Sequence, residues 1–351
     1  TGGGQSLRPN RSPAALVVLG VALSPVLLIG AGLLVRSFSA VLSQNPGLDP
    51  ERLVAGQIWI PNPSDRASNP YWPTAGRAGL VRELLGRLAL LPGIQQAAVG
   101  TSSDIPLLSN VSNPLPVSLP DEVSTQGNDH AAEFGAVSAG YFDVLRTPLK
   151  QGRVFTDHDV DSTVKVVVVN DAFVRRFAPQ RDIVGRRLRY QWRGDEYEAQ
   201  VVGVVGDVRN DGLDVAPPPR VYLSALQHPG VRLAVFLRTR SDVDVTSTKD
   251  ALTQTVHGIN PELPVFNVRT MADLMSASMA RRRFSLFLIS VFAVSALLLA
   301  ALGIYGVMAF VVDQRAQEFG IRLALGAKPR DILGLAFRPG FLLTATGTIV
   351  G

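Results

Sequence analysis

The residue types that do chemistry are present in this chain, but not at spacings that assemble a reaction centre. The histidines His130, His158, His228 and His257 lie far apart, with no His-x-x-x-His pair to aim two rings at one metal. No Gly-Lys dipeptide occurs, which excludes a P-loop. Gly203-Val204-Val205-Gly206 follows a predicted strand but lacks the Gly-x-Gly start of a dinucleotide loop, and it reads as a turn. The acidic run Asp157-His158-Asp159-Val160-Asp161 does not follow the order of a calcium loop and reads as a solvated turn. There is no Gly-x-Ser-x-Gly elbow. With no cysteine, disulfides, thiolate metal sites and cysteine nucleophiles are excluded. Catalytic, cofactor-binding and metal residues are therefore all assigned as none, and the segment is not predicted to be an enzyme.

The elements around these residues point to a membrane. Charged residues make up 18% of the 351 positions, against about 25% in a soluble domain, and mean hydropathy is +0.20. The excess apolarity sits in long runs. Residues 12–35 hold no charge between Arg11 and Arg36, and residues 284–312 hold none between Arg283 and Asp313. Each exceeds the roughly 20 residues needed to cross a bilayer core, and the second is worth roughly −5 to −10 kcal/mol of insertion. A third apolar stretch over 339–351 reads as the start of another span. The chain begins at Thr1 rather than Met and stops inside this stretch, so both ends read as cut. The net charge of +5 comes without a basic, aromatic-interleaved patch, and nucleic acid is not predicted as a partner. Basic flanks on membrane helices account for part of it.

Between the spans, residues 36–283 are enough for one large domain with two subdomains. Strands are predicted at Leu53–Ile60, Gln96–Gly100, Lys165–Val169, Glu198–Val205, Val231–Thr239 and Leu263–Val268, and Pro217–Pro219 breaks the chain before Arg220–Leu223. Helices are predicted at Arg77–Leu91, Asp171–Phe177 and Thr246–Gly258. Ile105–Asn128, rich in Pro, Ser and Asn, reads as a long loop between subdomains. Met271–Arg283 reads as a helix running directly into the second span. The predicted fold class is thus a membrane protein whose transmembrane α-helices flank a large mixed α/β extracytoplasmic domain.

The most specific string follows the second span: Arg315-Ala316-Gln317-Glu318-Phe319-Gly320-Ile321-Arg322-Leu323-Ala324-Leu325-Gly326-Ala327. On a helix Arg315, Glu318 and Arg322 share one narrow stripe, with Glu318 and Arg322 in the favourable i,i+4 order. The rest of the surface is apolar or small, which suits a helix lying at a membrane interface or in a partner's groove.

This string resembles the segment after the second span of MacB/FtsX-type ABC transporter permeases. Gly30–Phe38, Ser138–Phe142, Val202–Arg209, Pro264–Met271 and Leu302–Ala309 are similar to stretches of the MacB-like periplasmic core and its flanking helices in the large duplicated bacterial permeases. The resemblance implies an organisation in which 1–11 is a cytoplasmic linker and 12–35 and 284–312 are spans. In it 36–283 is the periplasmic core, 313–338 a cytoplasmic coupling segment and 339–351 a truncated span. It implies a multi-pass protein of the bacterial inner membrane that binds no cofactor itself. ATP would be bound by a separate cytoplasmic ABC ATPase subunit. The other implied partners are a second permease half or homodimer partner, a periplasmic adaptor and the lipid bilayer. Arg315, Glu318, Gly320, Ile321, Arg322, Gly326 and Ala327 become the ATPase-coupling segment. The competing class is a membrane-anchored sensor or scaffold without transport, which association with an ATPase would separate from a permease. A membrane-tethered hydrolase would need a catalytic constellation that is not found.

Overall fold

The computed structural model describes residues 29–30, 32–33, 36–37, 39, 44–61, 69–108, 114–120, 131–179, 182–240, 245–314, 316, 321 and 324–325. The chain divides into a compact unit at Gln44–Met279 and a second made of Thr1–Ser43 with Ala280–Gly351.

In the first unit, strands β1 (Leu53–Trp59), β2 (Ile94–Thr101), β10 (Arg232–Thr239) and β11 (Val265–Thr270) form a four-stranded sheet in the order β11-β1-β10-β2. All its pairs are antiparallel, with Val54 opposite Leu237 and Val235 opposite Val99. Helices α1 (Thr74–Ala89) and α4 (Val245–Ile259) cover one face. Leucines and valines at helical spacing on α1 (Leu80, Val81, Leu84, Leu88) pack with Leu252 and Val256 of α4 against Val54, Ile58 and Val235. The helix ends at Ala89 with Leu90 as its cap, and Pro92-Gly93 just beyond keeps the chain from continuing it, because proline cannot donate to the ladder.

The seven-stranded sheet has the order β5-β8-β6-β9-β4-β3-β7. Its members are β3 (Leu115–Ser118), β4 (Ala131–Val137), β5 (Leu149–Gly152), β6 (Val166–Asn170), β7 (Arg187–Trp192), β8 (Asp195–Val205) and β9 (Arg220–Ser224). Helices α2 (Tyr141–Leu145) and α3 (Asp171–Phe177) connect them. Pairs β4–β9 and β6–β8 are parallel. The β-branched run of β6 is buried at every residue, as strands covered on both faces are. Its Val166 and Val168 face a core shared with the four-stranded sheet, and Val167 and Val169 face a separate core with Phe173 and Phe177 of α3. This alternation follows from the two-residue period of a strand.

The shared core also receives the start of helix α5 (Met271–Gln314). Thr270 Oγ1 accepts the backbone N–H of Asp273 at 2.9 Å, and Asp273 in the first turn complements the helix dipole. The helix runs unbroken for 44 residues, about 66 Å at 1.5 Å per residue. Its sequence from Phe284 to Val312 has no charged residue. The side chains of Leu286, Ala296, Ala300 and others in this run lie outside those described, and among the described residues no helix is long and apolar enough to cross a membrane.

Three sequence expectations are corrected. Residues 105–128 are not one loop, since β3 lies within them and pairs with both β4 and β7. Four residues are too short for a periodic signal. The Gly203–Gly206 stretch is not a turn: Gly203 to Val205 end β8, where a Cβ on Gly203 would lie 2.1 Å from the Arg153 carbonyl oxygen. Glycine is needed there for close backbone approach. Asp159 is not solvated but only 6% exposed.

Candidate functional site

Of the coupling residues predicted from sequence, Ile321 is helical and exposed. Arg315, Glu318, Gly320, Arg322, Gly326 and Ala327 lie outside the described residues, as do residues 1–28 and 326–351. What is described is the root from which α5 leaves the first unit, and the segment by which the chain enters it.

The root is apolar. Met271 and Leu274 are 0% and 2% exposed in the shared core, with Leu53 and Phe236 from one sheet and Val168 and Tyr222 from the other. Aromatic rings stiffen this core: Tyr141 meets Phe236 edge-on at 5.3 Å, and Phe142 meets Tyr222 edge-on at 5.1 Å.

The entry segment is polar and tied by its backbone. Asp49 N–H donates to the Leu145 carbonyl at 2.9 Å, and Arg209 N–H to the Pro46 carbonyl at 3.0 Å. The Asp49 carboxylate accepts from Arg146 at 2.6 Å and from Arg238 of β10 at 3.3 Å. Arg238 is 2% exposed and spends its remaining donors on the carbonyls of Val144, Glu51 and Asp49. Burial pulls its pKa down, and Asp49 works against that. Beside this node lies an open cleft of about 460 Å³ lined by Asn45, Arg146, Lys150, Asp171 and Asp207 among others. Its charges are paired, Lys150 with Asp171 at 2.6 Å and Arg175 with Asp207 at 2.7 Å. The arrangement holds the entering chain; it offers no nucleophile and base side by side.

The other chemistry-bearing residues are structural. Asp159 takes a two-pronged ion pair from Arg153 at 2.8 and 2.9 Å and caps the turn through Thr156 N–H at 2.7 Å. Burial opposes ionisation of Asp159, but Arg153 and the Thr156 hydrogen bonds outweigh it and hold the carboxyl below its usual range. His228 is 5% exposed and shares a hydrogen bond of 3.0 Å with the Tyr190 hydroxyl. Burial, helped by Lys165, pushes its pKa down to about 4, so at neutral pH the ring is uncharged. Among the described residues no group of side chains is placed to hold a metal ion. Sequence reasoning missed Asp49 and Arg238, 189 positions apart; the signal available was Arg238 directly after the apolar run from Leu233 to Leu237 in β10.

Residues 14–255 match the family model of the MacB-like periplasmic core domain, and residues 290–351 match that of the FtsX-like permease C-terminal region. The macrolide export ATP-binding/permease protein MacB of Aggregatibacter actinomycetemcomitans is 23% identical over 267 residues, covering 74% of this chain and 40% of the relative. The pyoverdine export ATP-binding/permease protein PvdT of Pseudomonas aeruginosa is 24% identical over 260 residues, covering 70% and 38%. The chain therefore spans about 40% of the length of such relatives. The periplasmic region of MacB from Actinobacillus actinomycetemcomitans superposes with a TM-score of 0.43 at 19% identity, covering 68% of this chain and 97% of that one. The mixed α/β unit carries a MacB-like periplasmic core, and the chain belongs to the MacB/FtsX-type family of ABC transporter permeases.

Proposed function

We propose that this chain is part of a permease subunit that passes ATP-driven motion from a cytoplasmic ABC ATPase to the core at 44–279, for export or extraction of an envelope substrate. In this reading 12–35 and 284–312 cross the inner membrane and 339–351 begins a further span. Residues 36–283 lie in the periplasm, and 1–11 and 313–338 face the cytoplasm. ATP is bound by the ATPase and not by this chain. The subunit works with a second permease half or a homodimer partner, and the core is the part available to a periplasmic adaptor.

One observation carries the reading. Helix α5 is continuous from a root buried between both sheets to Gln314, through the uncharged run 284–312. A helix without a flexible joint passes displacement along its axis, and a close-packed core passes on strain instead of absorbing it. Arg315, Glu318, Gly320, Ile321, Arg322, Gly326 and Ala327 follow directly, where an ATPase would push.

The test is co-purification of the full-length protein with its ATPase, followed by the paired reversals Glu318→Arg and Arg322→Glu. Each reversal alone is expected to leave ATP hydrolysis running while export stops, and the double reversal to restore part of the coupling. Failure of any ATPase to associate would sink the permease reading in favour of a membrane-anchored sensor or scaffold.

A further inference from the structure

Where the two sheets meet, the contact includes a buried set of charges. Arg220 opens β9 and Glu133 lies on β4, both in the seven-stranded sheet, while Asp104 ends the 3-10 turn Ser102–Asp104 that follows β2 of the four-stranded sheet. Arg220 Nη2 donates to Asp104 Oδ1 at 2.6 Å and Nη1 donates to Glu133 Oε2 at 3.2 Å, with side chains 5%, 0% and 9% exposed. Asp104 is fixed further by Thr101 N–H, 2.7 Å from Oδ2, and by the Tyr141 hydroxyl, 3.2 Å from its carbonyl oxygen. The junction continues in uncharged bonds: Ala136 N–H donates to Thr101 Oγ1 at 2.8 Å and Val99 N–H to Ser138 Oγ at 3.0 Å. Strand β4 makes room for the carboxylate with Gly135, where a Cβ would lie 1.9 Å from Asp104 Oδ1.

Such a cluster is a poor way to gain stability. Desolvation of buried ions offsets their attraction, and apolar side chains of similar volume often do as well or better. Its advantage is direction. The planar Arg220 guanidinium gives one Nη to each of two carboxylates, Asp104 and Glu133, on different sheets, which fixes their relative orientation, and a rotation that parts them strands charge in a low-dielectric interior. Burial pushes the Asp104 carboxyl up while Arg220 pulls it back. Loss of solvation acts to lower Arg220, but Asp104, the neighbouring tyrosines and Glu133 raise it, so it stays protonated. The apolar contacts at the same junction are non-directional and tolerate a small sliding at lower cost.

We propose that Asp104, Arg220 and Glu133 form an orientation latch that locks the two sheets into one mechanical body. The consequence that movement of the α5 root then turns both sheets together rests on the permease reading above; the latch itself does not.

Residues 1–351 contain no cysteine; with any cysteine elsewhere in the full-length protein replaced by serine, spin labels are placed at Arg82→Cys on α1 and Gln191→Cys on β7, both exposed. The full-length protein is measured in lipid nanodiscs with no ATPase or nucleotide present. One narrow distance is expected for the otherwise unchanged chain. In the variant combining Asp104→Leu, Arg220→Met and Glu133→Leu, a cooperative melt should persist while the distance distribution becomes roughly twice as wide. An unchanged width overturns the latch. Should that variant fail to fold, Arg220→Lys keeps the charge and loses the fork; it is expected to widen the distribution by a smaller amount, and an unchanged width there is equally fatal. The readout needs neither ATP nor partner, so failure of the latch leaves the permease reading intact, and failed co-purification leaves the latch intact.

Discussion

The two sheets of the core bury their strands differently. The middle of the seven-stranded sheet is covered on both faces, and the four consecutive valines of β6 are buried, while β5 and the start of β8 are exposed. The four-stranded sheet has one face under α1 and α4, while the other begins in the shared core at Leu53 and Phe236 and runs out to exposed Trp59 and Phe266. Arg232 lies over the Trp59 ring at 5.0 Å, shielding part of it. The larger sheet is thus filled at its middle, the smaller one is half open, and both contribute to the core between them. Perturbations should sort accordingly: shared residues loosen both sheets, and private ones loosen their own.

The largest effect is expected at the shared core. Phe236→Ala should cost about 3–5 kcal/mol and lower amide hydrogen-exchange protection in β6 as well as in β10. Loss confined to the four-stranded sheet would break the comparison. Next comes acid. The unfolded chain binds a proton on His228 near its ordinary value of 6.5, whereas the folded chain binds it only near about pH 4. Stability contributed by the neutral ring is therefore lost as pH falls from about 6.5 towards about 4, by about 3 kcal/mol in total. Denaturant melts at stepped pH, followed by the fluorescence of Trp192, whose ring lies 6.3 Å from His228, should show this slope. His228→Gln should flatten it.

A smaller effect belongs to the seven-stranded sheet alone. Asn170 caps α3 by accepting Phe173 N–H at 2.9 Å, and the same oxygen accepts Arg220 N–H at 2.8 Å. Asn170→Ala should cost about 1–2 kcal/mol, with exchange rising in α3 and β9 but not in α1. The smallest is on the four-stranded side, where Glu83 and Arg87 pair at 2.7 Å on the exposed face of α1. Glu83→Gln should cost no more than about 0.5 kcal/mol, within reach of careful denaturant titration, and disappear in high salt.

Legibility follows the range of the forces involved. Helix α3 was readable to the residue because its apolar residues Ala172, Phe173 and Phe177 lie within a few positions and share one side. Strand β6 was readable because burial on both faces removes the need for polar residues. Strand β5 was not, since all four of its residues are exposed and only its bonds to β8 make it a strand. Strand β4 carries Glu133 and Gly135 for the benefit of Asp104 and Arg220, so its own apolar pattern is interrupted. The coupling stripe of Arg315, Glu318 and Arg322 is a sequence expectation and stays one, outside the described residues.

Sequence by itself determined the long uncharged run 284–312, the unbroken helix that carries it, and the motif strings shared with a permease family, because hydropathy and local spacing are properties of neighbouring residues. Only the tertiary structure decided that Met271 and Leu274 root that helix between two sheets, and that Asp104 meets Arg220 across 116 positions. Partners so distant along the chain are chosen by strand order and register, and the energy that selects them appears only once both sheets have closed on the same core.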